Sequence, residues 1–175
     1  MGASLVELLV VLVLVSVVGT MALNGVVTAL RVSRQTEERV QAAAELQRAV
    51  ERISRDVRSA CPLEIIEADR VVGIVHPDGG AARRALYRHD TATRTLFSAS
   101  TAATDPLNSA TEIAVMANLE PAGALFAYLG DDGAAVTAAA DVRTVRISLR
   151  RDLAQQDPVE IETLVALRNG GRACD

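Results

Sequence analysis

The sequence has no lysine and no tryptophan, and aromatic residues make up only 2% of its 175 residues. The core of any globular part must therefore be mainly aliphatic. All eighteen basic residues are arginines, which we attribute to the codon composition of a GC-rich genome rather than to a binding signature. The two cysteines, Cys61 and Cys174, are too few and too far apart for a zinc site.

The C-terminal part of the chain also lacks the excess of basic residues that nucleic-acid binding would need. The formal net charge is −4. Residues 31–60 carry seven arginines against five acidic residues, whereas residues 61–175 carry eleven arginines against sixteen. Such an acidic C-terminal part argues against nucleic acid as a partner.

Motifs that carry catalysis are missing as well. The sequence has no Gly-x-Ser-x-Gly elbow and no phosphate-binding glycine loop. His76 and His89 each adjoin a turn, and neither has a recognisable ligand spacing. Asp131 and Asp132 precede Gly133 and favour a tight hairpin turn over a calcium loop. We expect no enzymatic activity, cofactor or metal.

What the sequence does have is a long uncharged apolar run near its start. Leu8–Val18 reads LLVVLVLVSVV, and the run continues to Leu23. With the residues up to Leu30 it can cross a hydrocarbon core of about 30 Å. A cleaved signal peptide would need a basic start and a small-residue exit. Neither is present. Two interpretations remain: a plain single-pass anchor, or a segment whose specific role is indicated by Gly2 and Glu7.

Gly2, the glutamate five residues after it and the uninterrupted Leu/Val run form a specific pattern. The segment MGASLVELLVVLVLVSVVG resembles the cleavage and methylation segment of type IV prepilins and type II secretion pseudopilins. The resemblance implies cleavage between Gly2 and Ala3, N-methylation of Ala3, and a subunit–subunit charge pair made by Glu7. In this family the first mature residue is commonly Phe, whereas here it is Ala3. Family leaders are also longer and basic, so we expect native residues upstream of the 1–2 leader.

The residues that follow the apolar run have the pattern of a continuing helix. No proline occurs between Ala3 and Ala60, and apolar residues then recur at steps of three and four, which is typical of one helix face. This stripe comprises Ala43, Leu46, Val50, Ile53, Val57 and Ala60. Pro62 ends the pattern. We predict one helix of nearly sixty residues, with two separate helices as the alternative.

The rest of the chain shows the alternation of antiparallel strands. We predict strands at 70–76, 83–89, 94–100, 111–119, 125–129, 142–149 and 159–167, separated by turns. The predicted fold class is α+β, a pilin-like long N-terminal helix packed on an antiparallel β-sheet head. The expected organisation is a leader at 1–2, a transmembrane or filament-core helix at 3–30, an amphipathic helix at 31–60 and the head at 61–175.

The order of motifs in the head, including NLEPAGALFAYLGDDG and VEIETLVALRN, is similar to J-type minor pseudopilins and W-type minor pilins. The resemblance implies a structural subunit of the tip complex that initiates filament assembly. Its partners would be other pilins or pseudopilins, the inner-membrane assembly platform and a prepilin peptidase. The chain would be anchored in the inner membrane with its head outside the cytoplasm. A DNA-capture pilin or a generic anchored protein is the alternative.

Two further features of the head lead to hypotheses about contacts. Four arginines form what we interpret as a basic strand edge, either solvated or in contact with a neighbouring subunit or cargo: Arg143, Arg146, Arg150 and Arg151. Cys61 ends the predicted helix and Cys174 follows the last predicted strand. A disulfide joins them if that strand returns along the helix end, and two unpaired thiols are the alternative.

Overall fold

The computed structural model describes residues 5–76, 80–106, 111–120, 123–154 and 156–168. It begins with one α-helix, α1 (Leu5–Arg58), and continues with eight antiparallel strands in two sheets. The α+β fold class, with a long N-terminal helix followed by antiparallel sheets, is confirmed. The chain divides into two compact units, Met1–Val40 and Gln41–Asp175. We call the second one the globular unit.

The eight strands of the described residues follow one another along the chain with short connections. Their bounds are β1 (Ala60–Ile66), β2 (Arg70–Val75), β3 (Arg83–Asp90), β4 (Thr95–Ala102), β5 (Ile113–Met116), β6 (Phe126–Leu129), β7 (Thr144–Leu153) and β8 (Gln156–Ala166). One sheet has the order β1-β2-β3-β4-β5, and the other has the order β6-β7-β8. A short 3-10 helix, Ala139–Asp141, precedes β7.

The first strand, β1, was not among the predicted strands. The helix ends at Arg58, earlier than predicted, and the chain is already extended at Ala60. Pro62 therefore lies inside an edge strand, which is where a sheet tolerates proline, because no ladder hydrogen bond is needed on the outer side. Proline was interpreted only as a helix terminator.

Gly73 of β2 lies where β1 and β2 approach each other closely. A Cβ at this position would lie 2.9 Å from the Ala60 Cβ and 3.1 Å from Leu63 Cδ2. The β1–β2 register also shifts between Ala60 and Leu63. Only a residue without a side chain lets the two strands approach at this point.

The core of the Gln41–Asp175 unit lies between the second part of α1 and both sheets. The predicted stripe is largely confirmed: Leu46, Val50, Ile53 and Val57 are buried, and Ala42 and Ala49 join them, whereas Ala43 is only half-buried. Side chains from both sheets complete this core, among them Val71, Leu96, Phe126, Val145, Ile147, Leu149 and Val165. The core is mostly aliphatic, as predicted, although three of the four aromatic residues also belong to it, namely Tyr87, Phe126 and Tyr128.

Ile53 is the side chain whose truncation should test this packing most directly, because it is 0% exposed at the centre of the stripe. We expect Ile53→Ala to lower the free energy of unfolding of the globular unit by about 2–5 kcal/mol. Val40→Ala is the control, because Val40 is 63% exposed, and its effect should stay within about 0.5 kcal/mol. Urea unfolding followed by circular dichroism measures both, and equal effects would show that the stripe is not packed as described.

Candidate functional site: the apolar segment and the polar contacts of the globular unit

The first part of α1 presents apolar side chains to its surroundings on every side. We call residues 5–30 the apolar segment. Its large hydrophobic side chains are exposed by 44–81%. Consecutive residues are exposed, not one face, so this part of the helix has no stripe that a single neighbouring surface could cover. The exposed set is Leu5, Leu8, Leu9, Val10, Val11, Leu12, Val13, Leu14, Val15, Val17, Val18, Met21, Leu23, Val26, Val27 and Leu30.

Three hydroxyl groups in the apolar segment are satisfied within the helix. The hydroxyls of Ser16 and Thr20 donate to the carbonyl oxygens of Val13 and Val17 at 2.8 Å, and the Thr28 hydroxyl donates to that of Asn24 at 2.9 Å. A hydroxyl that bonds the preceding turn needs no water. These three hydroxyls can therefore lie in an apolar environment without losing hydrogen bonds.

By length and composition this helix could cross a membrane. Among the described residues it is the one helix that meets both requirements, with a mean hydropathy of 2.4 over its most apolar window. About 20 residues of helix span the hydrocarbon core. The geometry is therefore consistent with a single-pass anchor.

Glu7 lies in the first turn of α1 and is the one charged residue before Arg31 in the sequence. Its side chain is exposed, like those of Leu5, Leu8 and Leu9. A carboxylate in the first turn is favoured by the positive end of the helix dipole. Gly2 and Ala3, the predicted cleavage and methylation residues, lie outside the described residues.

Of the two cysteines in the predicted disulfide, the structure describes Cys61 but not Cys174. Cys61 lies in β1, is 3% exposed and is disulfide-bonded. Cys174 lies outside the described residues, so its pairing with Cys61 stays a prediction.

The arginines on and beside β7 do not form a strand edge. β7 is the central strand of its sheet, between β6 and β8, so the interpretation as an edge was wrong. Alternation alone does not reveal a strand's position in the sheet order. Each of these arginines also faces a carboxylate: Arg143 with Asp131, Arg146 with Glu162, Arg150 with Asp152 and Arg151 with Glu45.

The histidine and aspartate candidates do not converge on a common site in the described part of the chain. No group of three or more potential metal ligands occurs there. His76 is exposed, whereas His89 is buried in β3. Asp132 accepts a hydrogen bond from the Ala134 amide at 2.9 Å, and Gly133 has a φ of 76°. The Asp131–Gly133 sequence therefore forms the tight turn that was predicted.

A polar contact that sequence reasoning missed joins α1 to β3. Asp56 is 7% exposed, and its carboxylate accepts hydrogen bonds from Arg83 Nη2 and from the Tyr87 hydroxyl, each at 2.7 Å. Burial raises the pKa of Tyr87, and the neighbouring charge of Asp56 raises it further. The phenol therefore stays protonated and remains a donor to Asp56. A charged residue beside an apolar stripe was the only signal available in the sequence.

A second polar contact joins α1 to β7. The guanidinium of Arg151 forms an ion pair with the carboxylate of Glu45. The hydrogen bond from Arg151 lowers the pKa of Glu45 below its ordinary value, and a bond from Gln41 adds to this effect. The residues are 106 positions apart in sequence, so the contact fixes the helix against the second sheet.

Comparison with protein-family profiles, with curated proteins and with solved structures finds no match to this chain.

The Glu45–Arg151 pair should make stability depend on pH in a defined direction. Because the folded-state pKa of Glu45 is lowered, its contribution is present above the unfolded pKa and is lost as pH falls through the folded pKa. Both side chains are partly exposed, at 33% and 23%. We expect Glu45→Gln to cost about 0.2–1 kcal/mol near neutral pH.

The matched control is Glu38→Gln, since Glu38 is exposed and forms no ion pair with a described residue. Urea unfolding should show that the difference between Glu45→Gln and the native chain shrinks below about pH 4, near the ordinary glutamate pKa. A difference that is independent of pH, or equal for both variants, would contradict the assignment.

Proposed function

We propose that this chain is a structural subunit of a type IV pilin-like filament, a minor pilin or pseudopilin of the tip complex that initiates assembly. The observation that carries the proposal is the apolar segment, which is exposed on all sides and bears a single carboxylate in its first turn. A membrane accommodates such a segment before assembly, and a bundle of similar helices accommodates it afterwards.

The spacing of Gly2, Ala3 and Glu7 supports the pilin-like assignment over a generic anchor. A carboxylate within an apolar stretch is costly unless it has a partner. In the proposed filament that partner is the N-terminal amine of an adjacent subunit, produced by cleavage after Gly2. In a site without water this attraction is stronger than at a protein surface, because neither charge is screened by solvent.

The disulfide at Cys61 supports an extracytoplasmic location for the globular unit. Disulfides persist in oxidising compartments and are rare in the cytoplasm. We therefore place the globular unit outside the cytoplasm, anchored through the inner membrane. In this role the chain contacts other pilins or pseudopilins and the assembly platform, and it has no catalytic activity.

Processing gives the first test of this proposal. Mass spectrometry of the protein purified from cells with an active prepilin peptidase should find a chain that begins at N-methylated Ala3. The Gly2→Val variant should keep its leader, because the residue preceding the cut is changed. An intact leader on the native chain, or cleavage near residue 30, would refute the assignment.

Glu7 gives a second, independent test. Glu7→Val makes the segment more apolar, so membrane insertion and processing should persist. Incorporation into filaments and recovery of partner pilins by cross-linking should fall, because the partner amine loses its counter-charge. Glu38→Val is the matched control, since it removes one carboxylate outside the apolar segment. Equal incorporation of the two variants would contradict the charge pair.

A further inference from the structure

Arginine side chains from separate parts of the fold meet in one groove of the globular unit. The groove has a volume of about 1040 Å³. Its lining includes Arg52, Arg55 and Arg58 from the last turns of α1, Arg83 of β3 and Arg168 after β8. We call this feature the arginine groove. The spacing of three residues places the helical arginines on neighbouring positions of one face.

The arginine groove has an excess of positive charge. Among its described lining residues, Glu51 and Asp56 are the acidic ones. The Asp56 carboxylate is already bonded to Arg83 and Tyr87. No described acidic side chain lies within ion-pair distance of Arg55, Arg58 or Arg168. Guanidinium groups therefore remain available in a chain that is acidic as a whole.

The helix dipole explains only part of this arrangement. Arg55 and Arg58 lie in the last turn of α1, where cations are favoured by the negative end of the dipole. Arg83 and Arg168 belong to other parts of the fold and line the same groove. Arg83 is held by Asp56, whereas Arg168 has no described acidic partner, so together with the helical arginines it gives the groove the charge distribution of an anion-binding site.

The shape and lining of the groove indicate the kind of anion. Its volume slightly exceeds the range of about 300–1,000 Å³ that holds drug-sized ligands, so an inorganic anion would fill little of it. His76 and the guanidinium planes could stack on bases, but residues 61–175 carry sixteen acidic residues against eleven arginines, which disfavours a long nucleic acid. The exposed side chains that line the groove are mainly arginines, so charge is the chief property that a ligand must match.

We propose that the arginine groove binds an acidic peptide segment of a partner protein, with carboxylates on Arg55, Arg58 and Arg168. Arginine suits this ligand because its planar fork bonds a carboxylate through two parallel hydrogen bonds. The proposal concerns a site that the filament role does not require, and it holds or fails independently of that role.

The test is a binding measurement on the full chain in non-ionic detergent. The probe is a fluorescent peptide of alternating glutamate and valine, followed by anisotropy, and a glutamine–valine peptide is the uncharged comparison. Arg55→Gln combined with Arg58→Gln should weaken binding of the acidic peptide by about tenfold or more, since two charge-assisted contacts are lost. Arg168→Gln, which leaves the helix unchanged, should weaken it as well.

The matched control combines Arg39→Gln with Arg48→Gln, which removes the same charge from α1 at positions that do not line the groove. Its affinity for the acidic peptide should stay within about twofold of that of the native chain. Both affinities are measured at the same salt concentration, because salt screens charge contacts. Equal weakening by the two double variants would overturn the proposal. Equal binding of the two peptides would also overturn it, as would displacement by oligothymidylate or by inorganic phosphate at the concentration at which the acidic peptide competes. Thermal unfolding must show that all variants are folded.

Discussion

The hydrophobic effect acts on the two parts of helix α1 in different ways, and the rest of the structure depends on this difference. Up to Leu30, α1 exposes apolar side chains in every direction, and within the globular unit it buries one stripe against the sheets. Burial of apolar area is worth about 25 cal/mol per Å². The stripe obtains this free energy from its own chain, whereas the apolar segment can obtain it only from lipid or from other helices. This division is consistent with a single-pass anchor, and it is the feature on which the proposed role as an assembling subunit depends.

Within the globular unit, polar contacts add direction to the apolar packing of the helix on the sheets. Asp56 accepts bonds from Arg83 and Tyr87 in one sheet, and Glu45 pairs with Arg151 in the other. These contacts are directional, so a helix shifted by one turn would lose them. The same arrangement brings the arginines at the helix end beside Arg83 and Arg168.

Much of the fold could be predicted because its signals are local. The apolar run, the change to a one-sided stripe and the alternation in strands such as β7 and β8 all depend on neighbouring residues. β1 was missed because Pro62 masks an edge strand, and the central position of β7 was missed because sheet order depends on distant pairing. The Asp56 contacts and the arginine groove join residues far apart in sequence, so no spacing indicates them. Of the predicted site residues, Glu7 lies where expected, in the first turn, while Gly2, Ala3 and Cys174 lie outside the described residues.

The most direct test of this account is the behaviour of the fragment 41–175, which corresponds to the second compact unit. Its core contains no residue of the apolar segment. The fragment, produced in an oxidising compartment, should therefore sediment as a soluble monomer without detergent and unfold in one cooperative transition, whereas the full chain should require detergent or lipid. Aggregation of the fragment, or loss of its cooperative transition, would contradict the claim that the globular unit folds without the apolar segment.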